Sequence, residues 1–450
     1  MSQKLGRREF MYIAATGAAA VALAAAGFVM FGKEPESTQA GGQVARARAT
    51  RLGVLARSGY HQTVNYALFE YAKSLWPGLE FEYEAKGYAE TYQTAVLAMQ
   101  QRSDRYDILY LDEPWLPHFK TAGWLEGGVE FDTSGISEHI LKMASQGGRY
   151  IAAPTLGNFC FLFYNSALLD RVGEAAPKSW DDVLRITETI NTRLGPERIY
   201  GWVGNYNNNV SDVYMAVLLS MGGHMFDPSD GVTPVLATAS RTSAIEAMRI
   251  VKELADRRRG HPKTVSWQDP VSEISDAIKK GEVAMGLAYS GWIIDVDNPS
   301  KSRVVGQINI APPPGRFKAT VSGVWYWGVP IYSKKREEAR EVVKIITSKE
   351  AQKYALLKAD FIPARATVYQ DPEVRAKIRL APQWVDVILA GYPARTSPIY
   401  MALLGQMNTI ANKAVLGEIT PEEAVESIHR LLVSESQRAG VPIDLSKAAL

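Results

Sequence analysis

"YDILYLDEPWLPHFKTAGWLE", residues 106–126, is the stretch on which the fold turns. Ile108, Leu109, Tyr110 and Leu111 form an unbroken apolar run, the pattern of a strand covered on both faces. The run stops on two carboxylates, Asp112 and Glu113, followed by Pro114 and Trp115. Upstream, "RLGVLARSG" (51–59) reads as a strand closed by a Ser58-Gly59 turn. A helical stretch from His61 to Leu75 follows, halted by Trp76-Pro77-Gly78. "LEFEYEAKG" (79–87) alternates as a second strand, and "YAETYQTAVLAMQQR" (88–102) is helical. The order is β-α-β-α-β, which predicts a parallel sheet with right-handed crossovers.

Ligands on such sheets sit beyond the carboxyl ends of the strands. Ser58, Gly59, Tyr60 and His61 follow the first strand, Tyr88 the second, and Asp112, Glu113 and Trp115 the third. Three loops thus converge on one place. The competing reading is a capped turn, with Asp112 accepting backbone N–H groups and Trp115 turned inward.

A second unit begins near Ile151. "SWDD" (179–182) opens a helix with Ser179 as N-cap and Asp182 at N3. "RIYGWVGNYNNN" (198–209) is a strand and a polar loop, and 242–258 is an amphipathic helix. "GEVAMGLAYSGW" (281–292) is a buried strand ending at Ser290-Gly291-Trp292, and 304–315 and 320–331 add further strands. Charged helices follow at 334–347 and 349–358. Thr420-Pro421-Glu422-Glu423 gives the last helix an N-cap, an N1 proline and an N3 glutamate.

The 450 residues allow two domains, and 46% apolar content fits a folded chain. The first 50 residues hold six Lys/Arg and three Asp/Glu, which leaves 44 basic against 45 acidic residues in 51–450. No basic face for nucleic acid is implied. Cys160 is the single cysteine, so an internal disulfide framework and a cysteine zinc site are excluded. At the N-terminus, Arg7-Arg8-Glu9-Phe10-Met11 resembles a twin-arginine export pattern, followed by the uncharged run Met11–Phe31. As a helix that run would measure about 31 Å, enough to cross a bilayer. Residues 1–31 are therefore expected to act as a signal or retained anchor, with 32–50 as a flexible linker and the bulk outside.

Catalytic patterns are missing. There is no G-x-S-x-G elbow, P-loop or G-x-G-x-x-G, and the six histidines never pair at metal spacing. Asp112 and Glu113 are neighbours on extended chain and point apart, a poor match for two carboxyls flanking one bond. What stands at loop and strand ends is aromatic: Tyr60, Tyr88, Trp115, Tyr206, Trp292, Trp325 and Trp327, near Asn205, Asn207 and Asn208. Rings beside amides and acids suit a sugar's C–H faces and hydroxyl edges. They would also suit a cation.

The chain resembles the extracellular solute-binding proteins of ABC importers, in the maltose- and trehalose-binding branch. Residues 106–126 are similar to that family's strand, acidic turn and "A-G-W-L" ending. Residues 147–184, 279–292, 321–352, 361–372 and 417–426 carry five further motifs in the family's order. The resemblance implies a two-lobed α/β periplasmic-binding-protein-like fold with a hinge and an interlobe cleft, preceded by the N-terminal membrane helix. Lobe 1 would comprise 51–156 with 325–375, and lobe 2 would comprise 157–322 with 376–450. It implies that Asp112, Trp292, Gly323, Trp325 and the Tyr400 region line the cleft. Ser322-Gly323 stands where the family has Gly-Gly. The expected ligand is a carbohydrate, held by Ser58, Tyr60, Tyr88, Asp112, Glu113, Trp115, Asn207, Trp292, Gly323, Trp325 and Tyr400, with Trp325 as a platform across the cleft from Asp112. Expected partners are the membrane permease subunits, with a monomeric binding domain, no cofactor, no metal and no catalysis. The alternatives are a polyamine or phosphorylated polyol on the same scaffold, or a secreted glycosidase.

Overall fold

A computed structural model describes residues 49–207 and 209–449. The expected signal or anchor segment, 1–31, lies outside the described residues, as does nearly all of the linker. Among the described residues, no helix is long and apolar enough to cross a membrane.

The opening β-α-β-α-β reading holds. Strands β1 (Thr50–Arg57), β2 (Leu79–Lys86) and β3 (Ile108–Asp112) are joined by helices α1 (Tyr60–Leu75) and α2 (Tyr88–Gln100). β1 pairs in parallel with both β2 and β3. All five β3 residues are buried, as the unbroken apolar run requires. Gly53 is needed in β1, because a Cβ there would lie 2.2 Å from the Arg105 carbonyl oxygen.

Two more strands complete this first sheet from far along the chain. β4 (Ala152–Pro154) and β10 (Trp325–Gly328) give the order β2-β1-β3-β10-β4, with β10 antiparallel to both neighbours. The second sheet holds β5 (Phe159–Asn165), β6 (Tyr200–Val203), β7 (Val283–Tyr289), β8 (Ile308–Ala311), β9 (Thr320–Ser322) and β11 (Gly391–Tyr392). Its order is β11-β9-β5-β7-β6, and β8 also pairs with β5. The chain therefore passes between sheets at 155–158 and again at Gly323-Val324. The stretch 320–331, which reads as one strand, is split between the two sheets by that pair of residues.

Strand polarity then fixes where the lobes face each other. The carboxyl ends of β1, β2, β3 and β4 and the start of β10 share one edge of the first sheet. The carboxyl ends of β6, β7, β9 and β11 and the start of β5 share one edge of the second. The 155–158 and 323–324 links join those two edges. The capping boxes read at Ser179/Asp182 and Thr420/Glu423 both form. Trp76, Trp327 and Phe361 belong to one buried apolar cluster and Trp180, Trp202 and Met248 to another.

Candidate functional site

The acidic turn that ends β3 is the first wall. Asp112 caps the turn Glu113–Trp115: its Oδ1 accepts the Glu113 N–H at 2.9 Å. Its Oδ2 accepts the Tyr88 hydroxyl at 2.8 Å, and Tyr88 in turn accepts the Trp115 indole N–H at 3.1 Å. The capped-turn reading is realised: Asp112 is a cap and Trp115 is buried, at the edge of the first sheet that faces the second. Burial is the largest influence on the Asp112 carboxyl and pushes it up to about 6, against the lowering pull of Arg395 and the Tyr88 hydroxyl.

Trp325 belongs to this wall too. Its register partner is Asp112, so the expectation of a platform across the cleft is corrected: β10 inserts beside β3 in the same sheet. The ring is only 1% exposed. It stacks on Tyr110 at 4.6 Å and lies 4.5 Å from the His61 ring and 5.3 Å from Trp115. Trp327 also packs on Tyr110, with ring centres 4.4 Å apart. The Arg57 guanidinium lies 5.1 Å from the Tyr88 ring centre and 5.6 Å from that of Trp325.

Glu113 points away from that wall, as alternation demands. It is fully buried. Its Oε2 accepts the Ser322 hydroxyl at 2.5 Å, and its Oε1 has no hydrogen-bond partner among the described residues. Burial, offset by Arg395 and the Ser322 hydroxyl, pushes this carboxyl up to about 8. The expected ligand-facing Glu113 is thus a residue of the hinge, not of the rim.

The second wall comes from three residues that sequence reasoning missed. Asp212, in the first turn of α3 (Val210–Ser220), accepts the Tyr289 hydroxyl at 2.5 Å through Oδ2, while its Oδ1 is buried without a partner. Tyr289 ends β7. Arg395 follows β11 and donates to the Ser322 carbonyl at 2.7 Å. Its guanidinium stands 3.6 Å from Glu113 and 3.8 Å from Asp212, and its Nε has no partner. Gly323 makes room for it: a Cβ there would lie 2.7 Å from Arg395 Nη2. Neither Asp212 nor Arg395 sits in any motif, and only the fold brings them to Glu113.

The remaining expected residues divide. Tyr400 is buried, with the charges of Asp212 and Arg395 close enough to act on its hydroxyl. Trp292 is half-buried with its ring 5.8 Å from Tyr289. Ser58 is half-buried at the end of β1 and donates its backbone N–H to the Lys86 carbonyl. Tyr60 is turned aside, its hydroxyl donating to the Asp360 carbonyl at 2.8 Å. Asn207 is exposed and its side-chain amide is spent on the Trp267 carbonyl at 2.6 Å. The buried amide of this loop is Asn205, whose Oδ1 has no hydrogen-bond partner among the described residues.

A groove of about 510 Å³ adjoins the cluster. One side is Pro117 and Lys120, just past Trp115; the other is Met215 and Leu218, one and two turns past Asp212. Ala394 and Thr396, on either side of Arg395, close it. That volume is typical of a small-molecule site. Among the described residues, no group of three or more His, Cys, Asp or Glu could hold a metal ion.

Comparisons with known proteins agree with this architecture. The family model of the bacterial extracellular solute-binding proteins matches residues 61–353. A probable ABC transporter-binding protein of Deinococcus radiodurans is 24% identical over 295 residues, covering 63% of this chain and 68% of that protein. The sugar-binding protein MalE of Xanthomonas citri superposes with a TM-score of 0.74 at 16% identity, over 87% of this chain and 100% of that one. A solute-binding protein of Agrobacterium vitis, solved with D-mannitol bound, gives 0.69 at 17% identity, over 87% and 99%.

Proposed function

The chain belongs to the bacterial extracellular solute-binding proteins, and from that premise we propose that it captures a carbohydrate between its lobes and delivers it to the permease of an ABC transporter. The observation that carries this reading is the pairing of Asp112 with an aromatic wall of Tyr88, Trp115 and Trp325 at the edge where the two sheets meet. Carboxylates accept hydroxyl hydrogen bonds, and charge-assisted ones are about twice as strong as neutral ones. Ring faces cover the C–H faces of a sugar. The sugar and polyol ligands of similarly folded proteins support the same class.

Asp112, Trp292, Tyr400, Gly323, Trp325, Tyr88 and Trp115 form the binding set in this reading, joined by Asp212, Tyr289 and Arg395. Lobe 1 is 51–156 with 325–375 and lobe 2 is 157–322 with 376–450. The protein acts as a monomer, without turnover, held at the outer face of the membrane by its 1–31 segment. A thermal-shift screen over mono- and oligosaccharides, polyols, amino acids and polyamines tests the ligand class. A solute at 100 times its dissociation constant raises stability by about 2.7 kcal/mol. A response confined to amino acids or polyamines refutes the carbohydrate reading. Sustained release of cleaved sugar, abolished by Asp112→Ala, would make the protein a glycosidase instead.

A further inference from the structure

The groove beside the cluster carries a chemistry that the carbohydrate reading does not use. Two imidazoles line it, His139 and His224, together with Lys120, Lys142 and the Tyr392 ring. His139 stands on the short helix Glu138–Met143 of the first lobe. His224 belongs to the second lobe, as does Tyr392 at the end of β11. Both imidazoles pack on the same phenol ring, with ring centres 4.5 Å away for His139 and 5.3 Å away for His224. Histidines of opposite lobes are thereby held within about 10 Å of each other, the screening length in 0.1 M salt.

Other contacts make this patch a seam between the lobes. The Ser137 hydroxyl, just before the helix, donates to the Gly391 carbonyl at 2.6 Å. The Lys142 ammonium, on the helix, donates to the Pro228 carbonyl at 3.2 Å. A Cβ on Gly391 would come within 3.0 Å of Ile140 Cδ1, so the seam is tight as well as polar.

The charged neighbours of the two imidazoles fall on both lobes. Glu138 and Lys142, from its own helix, face His139. His139 itself and Asp227 face His224, and Asp227 also faces Tyr392. Lys142 in turn faces Lys120. Asp227 is already occupied: it accepts the Lys447 ammonium at 2.7 Å and the Ser229 N–H and hydroxyl. Asp230, the other acid of the groove, accepts the N–H groups of Val232 and Thr233. Burial holds both imidazoles below their ordinary 6.5; Lys142 adds to this at His139 against Glu138, and His139 adds to it at His224 against Asp227.

We propose that His139 and His224, packed on Tyr392 across the lobe seam, form an acid-sensitive latch: neutral, they let the lobes close on the solute, and protonated, they favour separated lobes and release it. This rests on the two-lobe reading above and is independent of which solute is bound. Glu138 and Lys142 move with His139, and Asp227 moves with His224, so these neighbours act alike in both arrangements. What separation changes is the cross-lobe part. It takes the Tyr392 ring away from His139 and the His139 ring away from His224, and both imidazoles return toward their ordinary basicity. Below pH 6.5 the separated arrangement therefore holds more protons than the joined one, and acid favours it. Above that value both arrangements are neutral at these positions and closure is unhindered.

Small-angle scattering on the full chain at pH 7.5 and pH 5, with no sugar present, tests this. The parent should expand reversibly, by on the order of 1 Å in radius of gyration, with a midpoint below 6.5. The double variant His139→Phe/His224→Phe keeps two rings on Tyr392 but cannot take a proton there, and it should keep its size. His139→Gln, a change at an exposed position, should expand less than the parent and decides the matter where the double variant does not fold. A parent of constant size overturns the proposal. So does an expansion of parent size in the variants, which would belong to Asp112 or another group common to all of them. Because no sugar enters the measurement, either failure leaves the carbohydrate reading standing, and a thermal-shift screen without a sugar response would fail that reading alone.

Discussion

Replacing Glu113 with glutamine isolates a fully buried carboxyl whose titration is strongly shifted. The side chain is fully buried and accepts the Ser322 hydroxyl through Oε2, while Oε1 makes no hydrogen bond to the described residues and has the Arg395 guanidinium at 3.6 Å. Its carboxyl is raised from the ordinary 4.5 to about 8, first by burial and then by the Asp112 charge, against the pull of Arg395. In the unfolded chain it titrates near its ordinary value. Between about 4.5 and 8 the folded state therefore holds a proton that the unfolded state has lost, so stability falls as pH rises through that window. Asp112, raised to about 6, acts in the same direction. At about 1.4 kcal/mol per pH unit, the Glu113 share alone is on the order of 4 kcal/mol. The many surface carboxylates held below their ordinary values, such as Asp182 and Asp227, titrate at lower pH and do not mask it. Glutamine keeps the acceptor for Ser322 and removes the titration. The six histidines, all lowered chiefly by burial, act the opposite way between pH 5 and about 6.5 and are common to both proteins. The readout is therefore the difference: in urea unfolding, Glu113→Gln should gain stability relative to the parent on going from pH 5 to pH 8.5. Identical pH dependence in the two proteins would mean that Glu113 is solvated and ionised, and the junction is not the dry place described above.

The other predictions follow from neighbouring contacts. Trp325→Ala should destabilise the fold by about 3–5 kcal/mol, the usual cost of emptying a buried aromatic site; urea unfolding reads it, and a loss under 1 kcal/mol would mean that the ring faces an open cleft. Gly323→Ala should push the Arg395 guanidinium off the Ser322 carbonyl, costing about 1.5–3 kcal/mol as for a charged hydrogen bond and weakening solute binding. A fully retained affinity would show that Arg395 does not need its present position. Asp112→Asn should weaken binding at least about 30-fold, or roughly 2 kcal/mol, by calorimetry, and parent-like affinity would reduce Asp112 to a turn cap. Small-angle scattering should show compaction on adding saturating solute; an unchanged radius of gyration argues against closure.

How much of this could be read from the sequence depends on whether the signal was local. β3 was legible because an apolar run of Ile108–Leu111 bounded by acids has few other meanings. The two capping boxes were legible because N-cap and N3 side chains are three residues apart. The segment 320–331 was harder: its residues have strand character throughout, and only the Gly323 backbone divides it between sheets. Trp325 was assigned to the wrong wall because register is set by a partner more than 200 residues away, and side-chain alternation says only that Trp325 and Trp327 share a face. Asn207 and Asn205 carry the same chemistry two positions apart, and only the Trp267 carbonyl removes the former from the site. Arg395 and Asp212 had no local signal at all.

In the proposed reading, those two residues would also couple binding to closure. Glu113 follows the edge strand end of the first sheet, Asp212 lies in the second lobe, and Ser322 ends β9 of the second sheet just before the link; the Arg395 guanidinium donates to the Ser322 carbonyl and stands within 4 Å of both carboxylates. Among the described residues, Glu113 Oε1, Asp212 Oδ1 and Arg395 Nε are buried without hydrogen-bond partners. Each such group costs about 1–3 kcal/mol. With the lobes apart, water satisfies them. A solute that supplies those bonds removes the cost only in the closed arrangement, and differential affinity for one state is the sole means by which a ligand can shift the balance. Selectivity and closure then have one origin: a molecule that leaves the acceptors unpaired binds poorly because it also fails to close the lobes.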